Sequence, residues 1–247
     1  MTGTMIGRHN IVRQTLLTFC GQSGGYVVAI FTGIVVARTL GPAGKGVVAL
    51  AMLLLAIFTT YGDGIQSAIM YQCGNRREPE KLVYAAALQL IGAVFVPLSI
   101  ALLITGFAVP RFGTLIFVAV AIPFSVYIQV ANSFLLMRNQ VAATIVIGAF
   151  GTFGYALVVV PALVIWHADA NAILGIWAVM YLLSAAYAWT QVAALIPPSV
   201  ALSTTPAVLF EQARFGFKSG SISVATFLNL RVDVFIVGLM LDTRTLG

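Results

Sequence analysis

Seven apolar runs, each more than twenty residues long, constrain what this chain can fold into more than any other feature. They extend over Leu16–Ala37, Val47–Tyr71, Leu82–Val109, Leu115–Met137, Val141–Trp166, Ala172–Ile196 and Ser219–Leu241. Each is long enough to cross a hydrocarbon layer about 30 Å thick at about 1.5 Å of helix per residue. None shows the roughly ten-residue alternation of a membrane β-barrel, and backbone groups in lipid must be satisfied internally, so the spans are expected to be helices. The fold class expected is an all-α membrane protein with about seven transmembrane helices.

Composition agrees. Residues are 60% apolar and 8% charged, with mean hydropathy +1.02, whereas a soluble domain carries about 25% charged residues. The net charge of +6 does not point to nucleic acid, because the basic residues lie between apolar runs, without a basic face or interleaved aromatics. Cys20 and Cys73 stand alone at the ends of runs, with neither CxxC nor Cys/His spacing, so no metal site or disulfide is expected. Arg8 and Arg13 precede the first run as in a signal peptide. That run is too long for one, and a retained helix is expected.

Charge in the connections sets the topology. Arg8, Arg13, Arg76, Arg77, Lys81, Arg138, Arg214 and Lys218 fall on one side, and Arg38, Lys45, Arg111 and Arg244 on the other, eight against four. The positive-inside bias makes the first side cytoplasmic, with the N-terminus on it. Ala37–Gly46, with two charges, three glycines and a proline, reads as a tight turn at the opposite surface, with Arg38 just below it. The loop Ile196–Pro206 is the main composition break. It leads into Ala207–Gly216, where Val208, Leu209, Phe210 and Phe215 mix with Glu211 and Arg214 as a short amphipathic stretch. Three units follow: a six-span bundle over 1–196, a cytoplasmic linker with a short amphipathic helix over 197–217, and the first span of an incomplete second bundle over 218–247. Leu241-Asp-Thr-Arg-Thr-Leu-Gly247 faintly echoes Leu40-Gly-Pro-Ala-Gly-Lys-Gly46, which suggests a plan of two similar halves.

Three segments carry a resemblance: Ile34-Val-Val-Ala-Arg-Thr-Leu-Gly-Pro-Ala-Gly-Lys-Gly-Val-Val48, Tyr61-Gly-Asp-Gly-Ile-Gln-Ser-Ala-Ile69 and Leu230-Arg-Val-Asp-Val-Phe-Ile-Val-Gly238. They resemble the polysaccharide biosynthesis proteins and O-antigen flippases of the multidrug/oligosaccharidyl-lipid/polysaccharide exporter superfamily. Members of that family have about twelve to fourteen spans in two pseudo-symmetric bundles around a central cavity. The chain looks like the N-terminal bundle plus the first helix of the second, a fragment or truncation. The resemblance implies movement of a lipid-linked oligosaccharide, on a polyprenyl diphosphate, across a bacterial inner membrane by alternating access. It also implies contacts with membrane lipids and other polysaccharide assembly proteins, and no covalent chemistry. The alternatives are a cation-coupled multidrug exporter of the same superfamily and a non-transporting assembly partner.

Several residues are candidates for that work. Arg231 lies in mid-span, where an unpaired Arg costs about 2.5–3.5 kcal/mol on insertion scales, and it reads as either an anion contact for the diphosphate or a structural ion pair. Asp233, about 200° round the helix from it, and Asp63 are candidates for ion coupling or for an ion pair. Gly62 and Gly64 mark either a helix break beside Asp63 or close packing. Arg38, Gln22 and Asn132 are candidate substrate contacts, although polar residues also serve as helix-contact glue in lipid. Pro97, Pro123 and Pro161 each remove a helix hydrogen bond and are candidate hinges. Trp166 reads as an interfacial anchor beside His167 and Asp169. No Ser/His/Asp set, paired carboxylates or Walker sequence is present, so neither an enzyme nor a cofactor is expected.

Overall fold

A computed structural model describes residues 8–109, 112–196 and 204–240, with side chains placed over 16, 18–109, 112–196 and 204–230. The described residues form helices α1 (Arg8–Gly74), α2 (Glu80–Leu90), α3 (Val96–Ala108), α4 (Leu115–Met137), α5 (Val141–Ala149), α6 (Tyr155–Trp166), α7 (Ala170–Ala193) and α8 (Pro206–Met240). The π-helical turns Ile91–Phe95 and Phe150–Gly154 join α2 to α3 and α5 to α6. Five stretches meet the length and hydropathy of a membrane span, and the first of them, Thr18–Gly74, contains two crossings. In order along the chain the helices follow the seven apolar runs, with α8 covering most of the last.

The turn expected over Ala37–Gly46 contracts to one residue. Gly41 alone leaves helical geometry, at φ 68° and ψ −178°, and Pro42 opens the second arm of α1. That backbone region is open essentially to glycine only, and a proline at a first helical position gives up an N–H that has no intrahelical acceptor anyway. The two arms fold back on each other, since Thr32 and Val36 line the same cavity as Val48 and Met52.

Helix α4 is the centre of the bundle. Ile122, Val126, Val130 and Phe134, four residues apart, form one of its buried stripes, and α1, α3 and α7 pack around it. Lipid is as apolar as these side chains, so packing rather than water exclusion holds them together. Small residues permit the approach: Gly62 of α1 lies against Val126 and Gln129 of α4.

The segment expected as a separate amphipathic element of the linker continues without interruption into the seventh apolar run as α8. Nothing between Pro206 and Met240 stops a helix, and Val208, Gln212, Gly216 and Gly220 bury one continuous face of it. That face packs against α1 and α2. A Cβ on Gly64 would run into the Gly216 carbonyl and stand 2.7 Å from the Gly220 Cα. The α1–α8 crossing is therefore backbone against backbone.

The basic connections meet at one end, as the charge alternation requires. Arg138 at the end of α4 holds Glu80 at the start of α2 at 2.7 Å, and Arg76 beyond α1 holds Glu211 of α8 at 2.7 Å. At the other end His167 closes α6 in left-handed geometry, and Asp169 caps α7 by accepting from the Ala172 amide at 2.9 Å. Trp166 beside them is 71% exposed, as expected of an anchor.

Candidate functional site

A cavity of about 310 Å³ opens between the two arms of α1, the second π turn, α6 and α7. Ala29, Thr32, Gly33 and Val36 line it from the first arm, Lys45, Val48, Ala49 and Met52 from the second. Gly151, Thr152, Tyr155 and Trp177 complete the wall. The space exists because bulk is missing: a Cβ on Gly33 or Gly151 would meet no atom within 4 Å. A volume of this order is at the lower end for small-molecule sites.

Its chemistry is apolar with a few polar points. The Thr32 hydroxyl donates to the Val28 carbonyl at 2.8 Å, as a hydroxyl in a lipid-buried helix commonly does. The Tyr155 hydroxyl is buried with no partner among the described residues. A buried donor left unpaired costs on the order of 1–3 kcal/mol; what Tyr155 presents to the cavity is its ring rather than this enclosed hydroxyl. Trp177 packs edge-on against Tyr181, with centroids 5.3 Å apart at 89°, which fixes the indole at the cavity wall. Lys45 is the one charged side chain among the described residues that line the space.

Of the residues expected as site residues, none of those with described side chains lines this cavity. Gln22 is exposed on the first arm of α1, and Arg38 is exposed just before the break. Asn132 is half-buried in α4, its Oδ1 without a partner among the described residues. Asp63 is exposed. The glycines on either side of it do not break the helix, as one reading of the sequence allowed: α1 runs through them, and they pack against α4 and α8. Arg231 and Asp233 belong to the backbone of α8, but their side chains lie outside the described residues.

Sequence reasoning missed two residues of the cavity wall and two of the α1–α8 contact. Lys45 was read only as a topology charge, and it stands half-buried in the cavity wall. Tyr155 follows a π turn that no composition signal marks. Gln212 and Gln72 are 0% and 1% exposed in the α1–α8 contact, where Gln72 donates to the Val208 carbonyl at 3.1 Å and Gln212 has no side-chain partner among the described residues.

No protein-family model matches the sequence, and no curated protein matches it. Among solved structures, the crystal structure of the eukaryotic MATE transporter AtDTX14 is similar, with a TM-score of 0.66 at 15% sequence identity. The similarity covers 94% of this chain and 58% of the transporter's chain. At such identity the agreement is one of helix arrangement rather than of residues. Over the matched length, the chain has the fold of a MATE transporter.

Proposed function

We propose that the chain belongs to an alternating-access transporter that moves the diphosphate-linked head of a lipid-carried oligosaccharide across the membrane, with the cavity beside Lys45 as its contact site. The observation that carries this reading is the cavity's lining, in which the Lys45 ammonium stands among apolar and aromatic walls, a combination that suits an anionic group joined to a sugar. The Trp177 and Tyr155 rings offer apolar faces of the kind on which sugars stack, and Thr32 and Thr152 offer hydroxyls. The volume accommodates a diphosphate or a single sugar, so the remaining glycan and the lipid tail lie outside it. Transport of this kind makes and breaks no covalent bond, and the neighbouring steps of polysaccharide assembly supply the substrate.

The test is transfer of a fluorescent lipid-linked oligosaccharide across reconstituted vesicles. Lys45→Gln is expected to slow transfer at least about tenfold, the equivalent of one charge-assisted contact, with helical content unchanged. Transfer at the parent rate would refute the reading. A second reading, cation-coupled export, draws on Asp63, a carboxylate exposed within an apolar span. Under that reading Asp63→Asn abolishes gradient-driven efflux of a cationic dye while Lys45→Gln leaves it intact.

A further inference from the structure

We infer a second site, for the phosphate head group of an anionic phospholipid, where the end of α1 meets the first turns of α8. A cavity of about 400 Å³ lies there, lined by Tyr71 and Arg76 from the α1 end and by Phe210, Glu211, Arg214, Phe215 and Lys218 of α8. The spacing of the α8 residues puts them on one strip of the helix that runs from the edge of the face that Val208, Gln212 and Gly216 bury round to the opposite side, where Arg214 and Lys218 stand.

The charges do not balance within the protein. Glu211 is taken by Arg76 at 2.7 Å. Hydrogen bonding to Tyr71 and, against a small burial cost, the carboxylate of Glu211 raise the Arg76 pKa, so that guanidinium stays charged. Among the described residues no carboxylate pairs with Arg214 or Lys218. The cavity therefore carries a net excess of two cations. At the same end of the bundle, Arg138 is already matched to Glu80, and Arg77 and Lys81 lie outside the cavity lining.

The walls point to a lipid rather than to a free ion. Tyr71 and Phe215 stack face to face, with centroids 5.0 Å apart at 3°, and the Arg76 guanidinium lies 5.9 Å from the Tyr71 ring centre. Phe210 is 71% exposed beside them. The apolar stretch of α1 ends at Gly74, so the cavity stands at the level where head groups lie. Arg214 and Lys218 face the phosphate there, and the rings meet the glycerol and first methylenes below it, the arrangement of an interfacial basic pocket. Such a lipid would bridge α1 and α8 and hold α8 against the bundle. This inference does not depend on which substrate the chain carries.

Native mass spectrometry of the full chain in neutral detergent, with phosphatidylglycerol or phosphatidylcholine added, tests it. Phosphatidylglycerol is expected to be retained in preference to phosphatidylcholine. Arg214→Gln combined with Lys218→Gln should weaken that retention about thirtyfold, from roughly fivefold per charge near an anionic surface. Arg138→Gln, which removes a charge at the same end outside the cavity, should leave it unchanged. Equal retention by the double variant, an equal loss in Arg138→Gln, or displacement of the lipid by inorganic phosphate would each overturn the proposal. Circular dichroism shows whether the variants keep their helices, and Glu211→Gln, which removes the one competing carboxylate, should strengthen retention.

Discussion

Gly41 shows how much one residue decides in this chain. Its φ of 68° with ψ −178° lies where an L side chain collides with its own backbone, at a cost of about 1–3 kcal/mol. Gly41→Ala is therefore expected to destabilise the chain by that amount in detergent, measured by thermal unfolding, although a Cβ there would meet no neighbour within 4 Å. Gln212 presents the opposite case. Its amide is 0% exposed and has no side-chain partner among the described residues, and removing an unsatisfied buried amide relieves on the order of 1–3 kcal/mol. Gln212→Leu is expected to raise the unfolding temperature, and a marked fall would show that the amide binds water or another group. The sequence made the importance of the Gly-Pro pair legible, because both residues are backbone devices. It could not mark Gln212, because an amide in an amphipathic strip gives no sign of which face becomes buried.

At the level of elements, the α1–α8 crossing is the most exacting contact. Gly64 meets Gly216 and Gly220 where an added methyl has only backbone to push against, and overpacking of this kind costs about 1–3 kcal/mol. Gly64→Ala is expected to lower the unfolding temperature and to expose α8 to limited proteolysis. Gly148→Ala, where a Cβ would meet no atom within 4 Å, should change neither. Gly216 and Gly220 form the small-xxx-small pattern of closely packed membrane helices. That pattern was available in the sequence, and the amphipathic character of the residues around it drew attention away. The prolines behave less uniformly than a list of candidate hinges implies. Pro97 is the second residue of α3, just after the π-helical turn Ile91–Phe95, where a locally widened helix absorbs the missing hydrogen bond. Pro123 lies inside α4, which continues through it. Periodicity cannot reveal a π turn, since one extra residue shifts the pattern by less than the width of an apolar face.

Across the whole molecule, two ends with different chemistry organise the chain. The pairs Arg76–Glu211 and Arg138–Glu80 tie one end together, while His167 and Asp169 close the other. Cysteines placed at Arg77 and Asn139, in a background without Cys20 and Cys73, are expected to be labelled from the same side of the membrane, and a cysteine at His167 from the other. Labelling of all three from one side would refute the arrangement. The sequence by itself determined the helical class, the order of the crossings and which connections share an end, because lipid forces long apolar helices and charge cannot cross the bilayer cheaply. Only the tertiary structure decided where the cavities lie. They form where glycines on separate helices leave space together, at Gly33 and Gly151, and where cations of one helix find an unequal number of carboxylates on its neighbour, at Arg214 and Lys218. These are relations between residues far apart in the chain, and packing alone brings them together.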